Sequence, residues 1–418
     1  MQTRLFTAAA LAAIPVFLMA GCSASPSSVA PPAPHRTTTT PPSTTSTSTP
    51  VSASESLTAI AFFSPALGYG VFTRQGAVIC QDLVGPTTNG GATFGPLVSV
   101  TSWTCADGPS VGTLAFDDHG DGFLYGPDLM VTHDSGKTWA KGTQHGTVLS
   151  VEALGLSVWM VESQCPQSST SRTCPLRLFE STNGGRSWSP STSTPANAVG
   201  NSYVGAHAQT WLVRVGQSSA YLLSNAIGNP QGQANAASLW FTADGGTSWS
   251  DRSIPCAVSD ASSIALSAAP DGTLLAVCAG EPGAGNQAKS AIRSTDGGIT
   301  WTVQLSCPFI DSASASAPGS SCDTLNSGYL GGIDAVSADT VFLYGDRSSL
   351  LVSHDGGAHW QAVQPLIGDT SAGTQLVIFF NRSDGVVLGE GGDTNEVVTL
   401  WRTRDGGAEW TAVAPQTS

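Results

Sequence analysis

The sequence predicts an all-β chain folded as a seven-bladed β-propeller of four-stranded antiparallel blades. Three observations carry that prediction. One eight-residue phrase, Ser/Thr-x-Asp/Asn-x-Gly-x-x-Trp/Phe, occurs seven times. Its closing aromatics stand roughly 45 to 61 residues apart, the interval at which a repeat denotes one propeller blade. Short runs rich in β-branched and aromatic residues precede each phrase, separated by polar turns.

Taken in chain order, the phrases pair Asn89 with Phe94, Asp134 with Trp139, and Asn183 with Trp188. Asp244 with Trp249, Asp296 with Trp301, Asp355 with Trp360 and Asp405 with Trp410 follow. The first copy is worn, with Phe where the others have Trp. Each residue type has a mechanical reason. An Asp or Asn in a turn accepts hydrogen bonds from backbone N–H groups just ahead of it. The glycines supply the positive φ of a tight hairpin. A leading Ser or Thr bonds the same turn, and the aromatic buries a large apolar area as the next strand starts. None of this requires a substrate.

Strand runs lie before the phrase at 129–131, 176–179, 239–241, 350–352 and 397–401. Further upstream a second pattern recurs at 60–70, 114–126, 333–345 and 377–389: an apolar strand, a polar turn, then a strand containing Gly. One blade is therefore an inner strand, a polar turn, a second and a third strand, the phrase, and a fourth strand.

The phrase resembles the Asp-box, or bacterial neuraminidase repeat (BNR), hairpin. That resemblance covers the chain after residue 55 and implies a hairpin between the third and fourth strands of each blade, away from any active site.

The N-terminus reads as a targeting segment. Arg4 supplies a positive start, 5–20 an apolar core, and Leu18-Met19-Ala20-Gly21-Cys22 a small-residue end. That ending resembles a bacterial lipobox, with Met19 where Leu is commoner, and implies lipidation of Cys22. Residues 23–55 are almost wholly Ser, Thr, Pro and Ala, too polar to order themselves. Extended at about 3 Å per residue, this tether reaches roughly 100 Å. The expected organisation is a signal peptide over 1–21, a lipidated Cys and disordered tether over 22–55, and the propeller over 56–418. The expected location is extracytoplasmic, lipid-anchored to a bacterial cell membrane.

Nine cysteines leave eight once Cys22 is set aside. Nearest-neighbour pairing gives Cys80 with Cys105, Cys165 with Cys174, Cys256 with Cys278 and Cys307 with Cys322, one of 105 pairings that eight cysteines allow. No Cys-x-x-Cys pattern points to a metal, so no metal ligands and no cofactor are expected; structural disulfides in an oxidising compartment are. The chain carries 16 Lys plus Arg against 30 Asp plus Glu, and its lysines are Lys137, Lys141 and Lys289. Such an acidic chain excludes nucleic acid and electrostatic docking on anionic lipid. Membrane association then falls to the lipid, and the propeller is expected to be a monomer.

Candidate chemistry is thin. Resemblance to sialidases implies three arginines gripping a carboxylate, a Tyr–Glu nucleophile pair, an Asp acid and an early Arg-Ile-Pro motif. Here the nearest string is Arg252-Ser253-Ile254-Pro255, mid-chain, and sialidases have six blades. Arg74, Arg214, Arg293 and Arg382 have no spacing that assembles a triad. Any other glycosidase needs two carboxylates at a defined separation. Asp117, Asp118, Asp121, Glu152, Glu162, Asp334, Glu390 and Asp393 are the candidates, most of them in turns that favour Asp for local reasons. Glu152 has no equivalent in the other repeats. The string from Asp117 to Gly122 lacks the ligand spacing and closing Glu of an EF-hand loop. His119, His133, His145, His207, His354 and His359 are dispersed. Insertions at 190–238 and 305–332 are the better pointers to binding, because scaffolds carry binding residues on loops.

The blade pattern and lipobox together are similar to the lipid-anchored photosystem II assembly-factor family and its bacterial relatives. Members of that family engage a protein through an arginine patch, which the dispersed arginines here do not reproduce. The expectation is a non-catalytic binding or scaffold protein for an envelope protein partner. A carbohydrate-binding or glycoside-hydrolysing propeller is the alternative.

Overall fold

The computed structural model describes residues 55–417 apart from 107–111, 118, 127, 166–173, 196–197, 201–208, 226–237, 253, 259–260, 309–319, 365–366, 368–372 and 391–397. Cys22, the signal and nearly all of the tether, together with Asp118, His207 and Asp393, lie outside the described residues.

Each blade is one contiguous stretch of chain whose strands pair in sequence order, innermost first. Blade 1 holds β1 (Glu55–Phe62), β2 (Gly68–Gln75) and β3 (Ile79–Thr87); the short β4 (Thr93–Phe94) then leads into its fourth strand, β5 (Val98–Thr104). Blade 2 runs β6 (Thr113–Phe116), β7 (Gly122–Tyr125), β8 (Leu129–Thr132) and β9 (Ala140–Lys141). Blade 3 runs β10 (Thr147–Leu154), β11 (Ser157–Ser163), β12 (Cys174–Ser181) and β13 (Ser189–Pro190), with β14 (Val199–Gly200) also pairing to β12. Blade 4 runs β15 (Gln209–Arg214), β16 (Ala220–Asn225), β17 (Ser238–Thr242) and β18 (Ser250–Asp251). Blade 5 runs β19 (Ser263–Ala268), β20 (Leu274–Ala279), β21 (Lys289–Ser294) and β22 (Thr302–Cys307), followed by helix α1 (Ser321–Asn326). Blade 6 runs β23 (Gly332–Ala335), β24 (Val341–Tyr344), β25 (Leu351–Ser353) and β26 (Gln361–Ala362). Blade 7 runs β27 (Thr374–Phe379), β28 (Gly385–Glu390), β29 (Val398–Thr403) and β30 (Thr411–Val413). Last, β31 (Gln416–Thr417) pairs in parallel with β4.

A sheet face must be covered, and here each blade covers its neighbour. Seven apolar clusters are found, one at every blade-to-blade seam. The seam of blades 6 and 7, for example, packs Phe342 on Phe379 with ring centroids 4.8 Å apart, and Trp410 against both edge-on. Burial of each such side chain stabilises the fold by about 1.5–3 kcal/mol.

The seven turns share the bonds among the leading Ser or Thr, the Asp or Asn and the N–H groups ahead of them, while the closing aromatic varies, Trp249 Nε1 donating to the Ser193 carbonyl at 3.1 Å. In blade 2 the Thr132 hydroxyl donates to Asp134 Oδ1 (2.8 Å) and accepts from the Gly136 N–H (3.0 Å). Asp134 Oδ1 also accepts from the Thr138 N–H (2.9 Å), while the Thr138 hydroxyl donates to Oδ2 (2.7 Å). Trp139 Nε1 then donates to the Gly136 carbonyl at 3.2 Å. Ser135 stands where the other turns have Gly, at φ 62°, and Gly136 follows at φ 77°. Where Asn replaces Asp, its amide donates instead, Asn89 to Thr93 Oγ1 (2.9 Å) and Asn183 to Ser187 Oγ (2.8 Å).

Strands that alternate in direction sort the connections onto two faces. The first-to-second turns and the seven repeated turns lie at one end, here the box face. The second-to-third hairpins and the links to the next blade lie at the other, the loop face.

Candidate functional site

The loop face collects the covalent bracing. Cys80 at the start of β3 bonds Cys105 just past β5, and Cys165 just past β11 bonds Cys174 at the start of β12. Cys256, in the link leaving β18, bonds Cys278 near the end of β20, and Cys307 at the end of β22 bonds Cys322 in α1. All eight positions belong to strand ends or links on that one face. The second insertion, 305–332, begins on it at the end of β22, whereas 190–238 holds β14, β15 and β16, and its segments 201–208 and 226–237 lie outside the described residues.

The second insertion is further tied down by Lys289, a residue that sequence reasoning used only for its charge. Its side chain is fully buried, and its Nζ donates to the carbonyls of Ser327 (3.0 Å) and Gly328 (2.9 Å). Burial lowers its pKa to about 7. Asn326 Oδ1 accepts from the Lys289 N–H at 2.9 Å, and Gln287 Oε1 accepts from the Leu330 N–H at 2.8 Å. The sequence signal was a lysine in a run of small and apolar residues, Ala288 to Ile292.

Inside the ring, the inner strands enclose a cavity of about 490 Å³. Its wall mixes apolar side chains, among them Trp211, Leu266, Ile333 and Val377, with the charged groups Glu152, Arg214 and Asp334. Cavities of this size and mixed lining suit small ligands. Most polar groups here are committed to the scaffold. Ser150 Oγ accepts from the Leu212 N–H (3.3 Å), Ser267 Oγ from the Ala335 N–H (3.0 Å), and Asp334 Oδ2 from the Phe379 N–H (2.7 Å). Each bond joins the inner strand of one blade to that of the next. Arg214 donates to the Ser157 carbonyl (2.8 Å), the Ser157 hydroxyl (3.2 Å) and the Gln217 carbonyl (2.5 Å), and its guanidinium lies 4.5 Å over Trp159. Burial depresses its pKa to about 10, with Glu152 and Glu180 acting in the opposite sense.

The remaining candidates scatter. Asp117 Oδ1 accepts from the N–H groups of His119 and Asp121 (both 2.8 Å), closing its own turn. Asp121 bonds His133 Nδ1 (2.9 Å) and Arg186 (2.8 Å), linking blades 2 and 3 on the box face. Both Glu162 oxygens accept from the His145 N–H at 3.1 Å, and burial raises the Glu162 pKa. Glu390 ends β28. Arg74 pairs with Glu55 (2.6 Å) and Arg293 with Asp339 (3.5 Å). Arg74, Arg214, Arg293 and Arg382 stand in blades 1, 4, 5 and 7, so the fold does not gather them into one triad. His133 and His359 each bond an Asp within a box-face turn, while His145 stacks on Phe179 at 5.1 Å. No group of three or more potential metal ligands occurs among the described residues. Among the described candidate acids, Glu152 and Asp334 are the two brought to the cavity.

With the turn geometry and seven blades in hand, residues 292–303 match the BNR/Asp-box repeat family. The recurring turn is an Asp-box. No curated protein matches the chain. Solved structures similar to it include YCF48 bound to D1 peptide, at 18% identity over 71% of this chain and 77% of that one, TM-score 0.44. Another is the Niastella koreensis GH74 enzyme, at 14% identity over 84% and 64%, TM-score 0.40. A polysaccharide lyase, PL25 ulvan lyase, matches at 9% identity over 85% and 91%, TM-score 0.46. These similarities are too remote to assign activity; the seven Asp-box blades stand on the strand order itself.

Proposed function

We propose that the protein is an exported, lipid-anchored, non-catalytic binding protein whose loop face engages an envelope protein. One observation carries the reading: all four disulfides, α1 and the Lys289 anchor brace the loop face, while the box face is closed by short repeated turns. Recognition surfaces are commonly built on the loops that a rigid scaffold carries. The commitment of Asp117, Asp121, Glu162, Asp334 and Arg214 to scaffold bonds supports a role without catalysis.

The test places a photo-reactive residue at Glu281 or Arg347, both exposed on the loop face, and at Lys137 on the box face as control. On native cells, recovery of one recurrent envelope protein from the first two positions and not from Lys137 is the expected result. Equal recovery from both faces, or from neither, overturns the reading.

A glycan-binding or glycoside-hydrolysing propeller is the second reading, favoured by Glu152 and Asp334 sharing the cavity with Arg214. Envelope polysaccharide that binds the protein and loses binding or turnover in Glu152→Gln selects it.

A further inference from the structure

Blade 1 breaks a rule that most other blades keep. Fourth strands sit at the rim of a propeller and expose one edge, and five of them are only two or three residues long: β9, β13, β18, β26 and β30. Short edges are how β proteins avoid pairing with other chains. β22 has six residues, and its Cys307 end is covered by the disulfide-linked α1. β5 has seven, Val98-Ser99-Val100-Thr101-Ser102-Trp103-Thr104, and among the described residues it pairs with β3 alone.

Its free edge has a definite register. The Cys105 N–H donates to the Val78 carbonyl at 2.9 Å, and Trp103 faces Cys80 while Thr101 faces Asp82. Antiparallel ladders alternate bonded and non-bonded pairs. Cys105, Trp103 and Thr101 therefore point their backbone groups at β3, and Ser102 and Thr104 point theirs outward. Both outward residues are exposed, as is Ser99. On the β3 side of β5, Val78 in the hairpin and Ile79 at the start of β3 are 62% and 51% exposed. The strand is held in place by the Thr101 hydroxyl, which donates to the buried Asp82 at 3.1 Å. It carries no charge, in a chain of net charge −14. A second copy pairing edge to edge would bring two such acidic chains together, which opposes self-association. β5 ends at the Cys105 disulfide and so runs up to the loop face.

We infer that β5 is a strand-addition site: an extended, uncharged segment of the partner protein pairs with the outward backbone groups of Ser102 and Thr104. Main-chain bonds supply the affinity, and the exposed side chains of Ser102 and Thr104 pair with those of the added strand. This rests on the protein-binding reading above and names the chemistry of its partner.

The test uses the full lipoprotein on its native cells, with a photo-reactive residue at Ser99 or Thr104 and, separately, at Glu281. Ser102→Pro removes one outward donor and leaves the ladder to β3 intact, so its Tm stays near that of the parent. The expected result is a cross-link from Ser99 and Thr104 to an uncharged stretch of the envelope protein, at alternating residues, reduced at least tenfold by Ser102→Pro. A Ser102→Lys variant, which keeps the N–H but adds a charge at the edge, is expected to reduce it as well. Cross-links from β5 to a second copy or to residues 22–54 of the same chain overturn the inference. So does capture of the envelope protein from Glu281 with none from β5, in which case the binding reading survives. Capture from neither position sinks both.

Discussion

The Asp-box carboxylates show how much a single exposed side chain can organise. Asp134, Asp244 and Asp296 have pKa values near 2 because hydroxyl and N–H donors three or four residues ahead stabilise the charged form. Their folded-state values lie below those of an unfolded chain, so their contribution is present above about pH 4 and is lost as pH falls toward 2. Asp296→Ala is expected to lower Tm by roughly 2–5 °C at pH 7. Asp296→Asn is expected to be nearly neutral, since Asn89 and Asn183 already fill this role; thermal denaturation of both variants checks the pair. Asp82 behaves in the opposite sense. Burial raises its pKa to about 6, against the hydrogen bonds from Thr101 and Thr73. A raised carboxylate favours the folded state at low pH and disfavours it above about 6. Asp82→Asn is therefore expected to stabilise the protein at pH 8, by up to about 3 kcal/mol, with the gain gone at pH 4. Urea titrations at the two values measure it.

At the scale of elements, the structure distinguishes two kinds of link. The repeated turns on the box face make their defining bonds within eight residues and add bonds to the first-to-second turns, such as the Ser135 N–H to the Gly120 carbonyl. The identity of each could be read directly from Thr132 to Trp139 and its six counterparts. Links on the loop face depend on partners distant in sequence. The Cys307–Cys322 bond closes a 15-residue separation, for which loop entropy gives about 3 kcal/mol. Replacing both cysteines by serine is expected to increase amide exchange in 320–330 and near Lys289 while leaving the Asp-box amides protected. Exchange that rises uniformly over all blades would contradict this local role. Glu152 illustrates the limit of pattern reading: its lack of a counterpart in other repeats singled it out, yet that said nothing of a cavity. Asp334, in a recurring strand pattern, looked like a turn or strand filler and proved to share that cavity while bonding the next blade.

Among the described residues the ring is closed by packing and a clasp, and blades 1 and 7 each draw their four strands from one stretch of chain. Blade 7 contributes Ile378, Leu388 and Leu400 and blade 1 contributes Ile60, Phe62 and Phe94 to one cluster. Arg402 reaches across the same seam to donate to the carbonyls of Asn89 (3.3 Å) and Pro65. β31 then adds beside β4. Truncation after Ala414 combined with Arg402→Ala is expected to lower Tm and to speed amide exchange first in blades 1 and 7. A uniform loss would instead mean that this seam is no weaker than the others. Sequence alone determined the blade count, the strand pattern and the chemistry of the turns, because each Asp-box is written within eight adjacent residues and repeated seven times. Only the tertiary structure decided how the ring closes, that every disulfide braces one face, and which carboxylates reach the cavity. Those outcomes come from contacts between residues far apart in the chain, such as Arg402 with Asn89 and Asp334 with Phe379, for which no local pattern exists to be read.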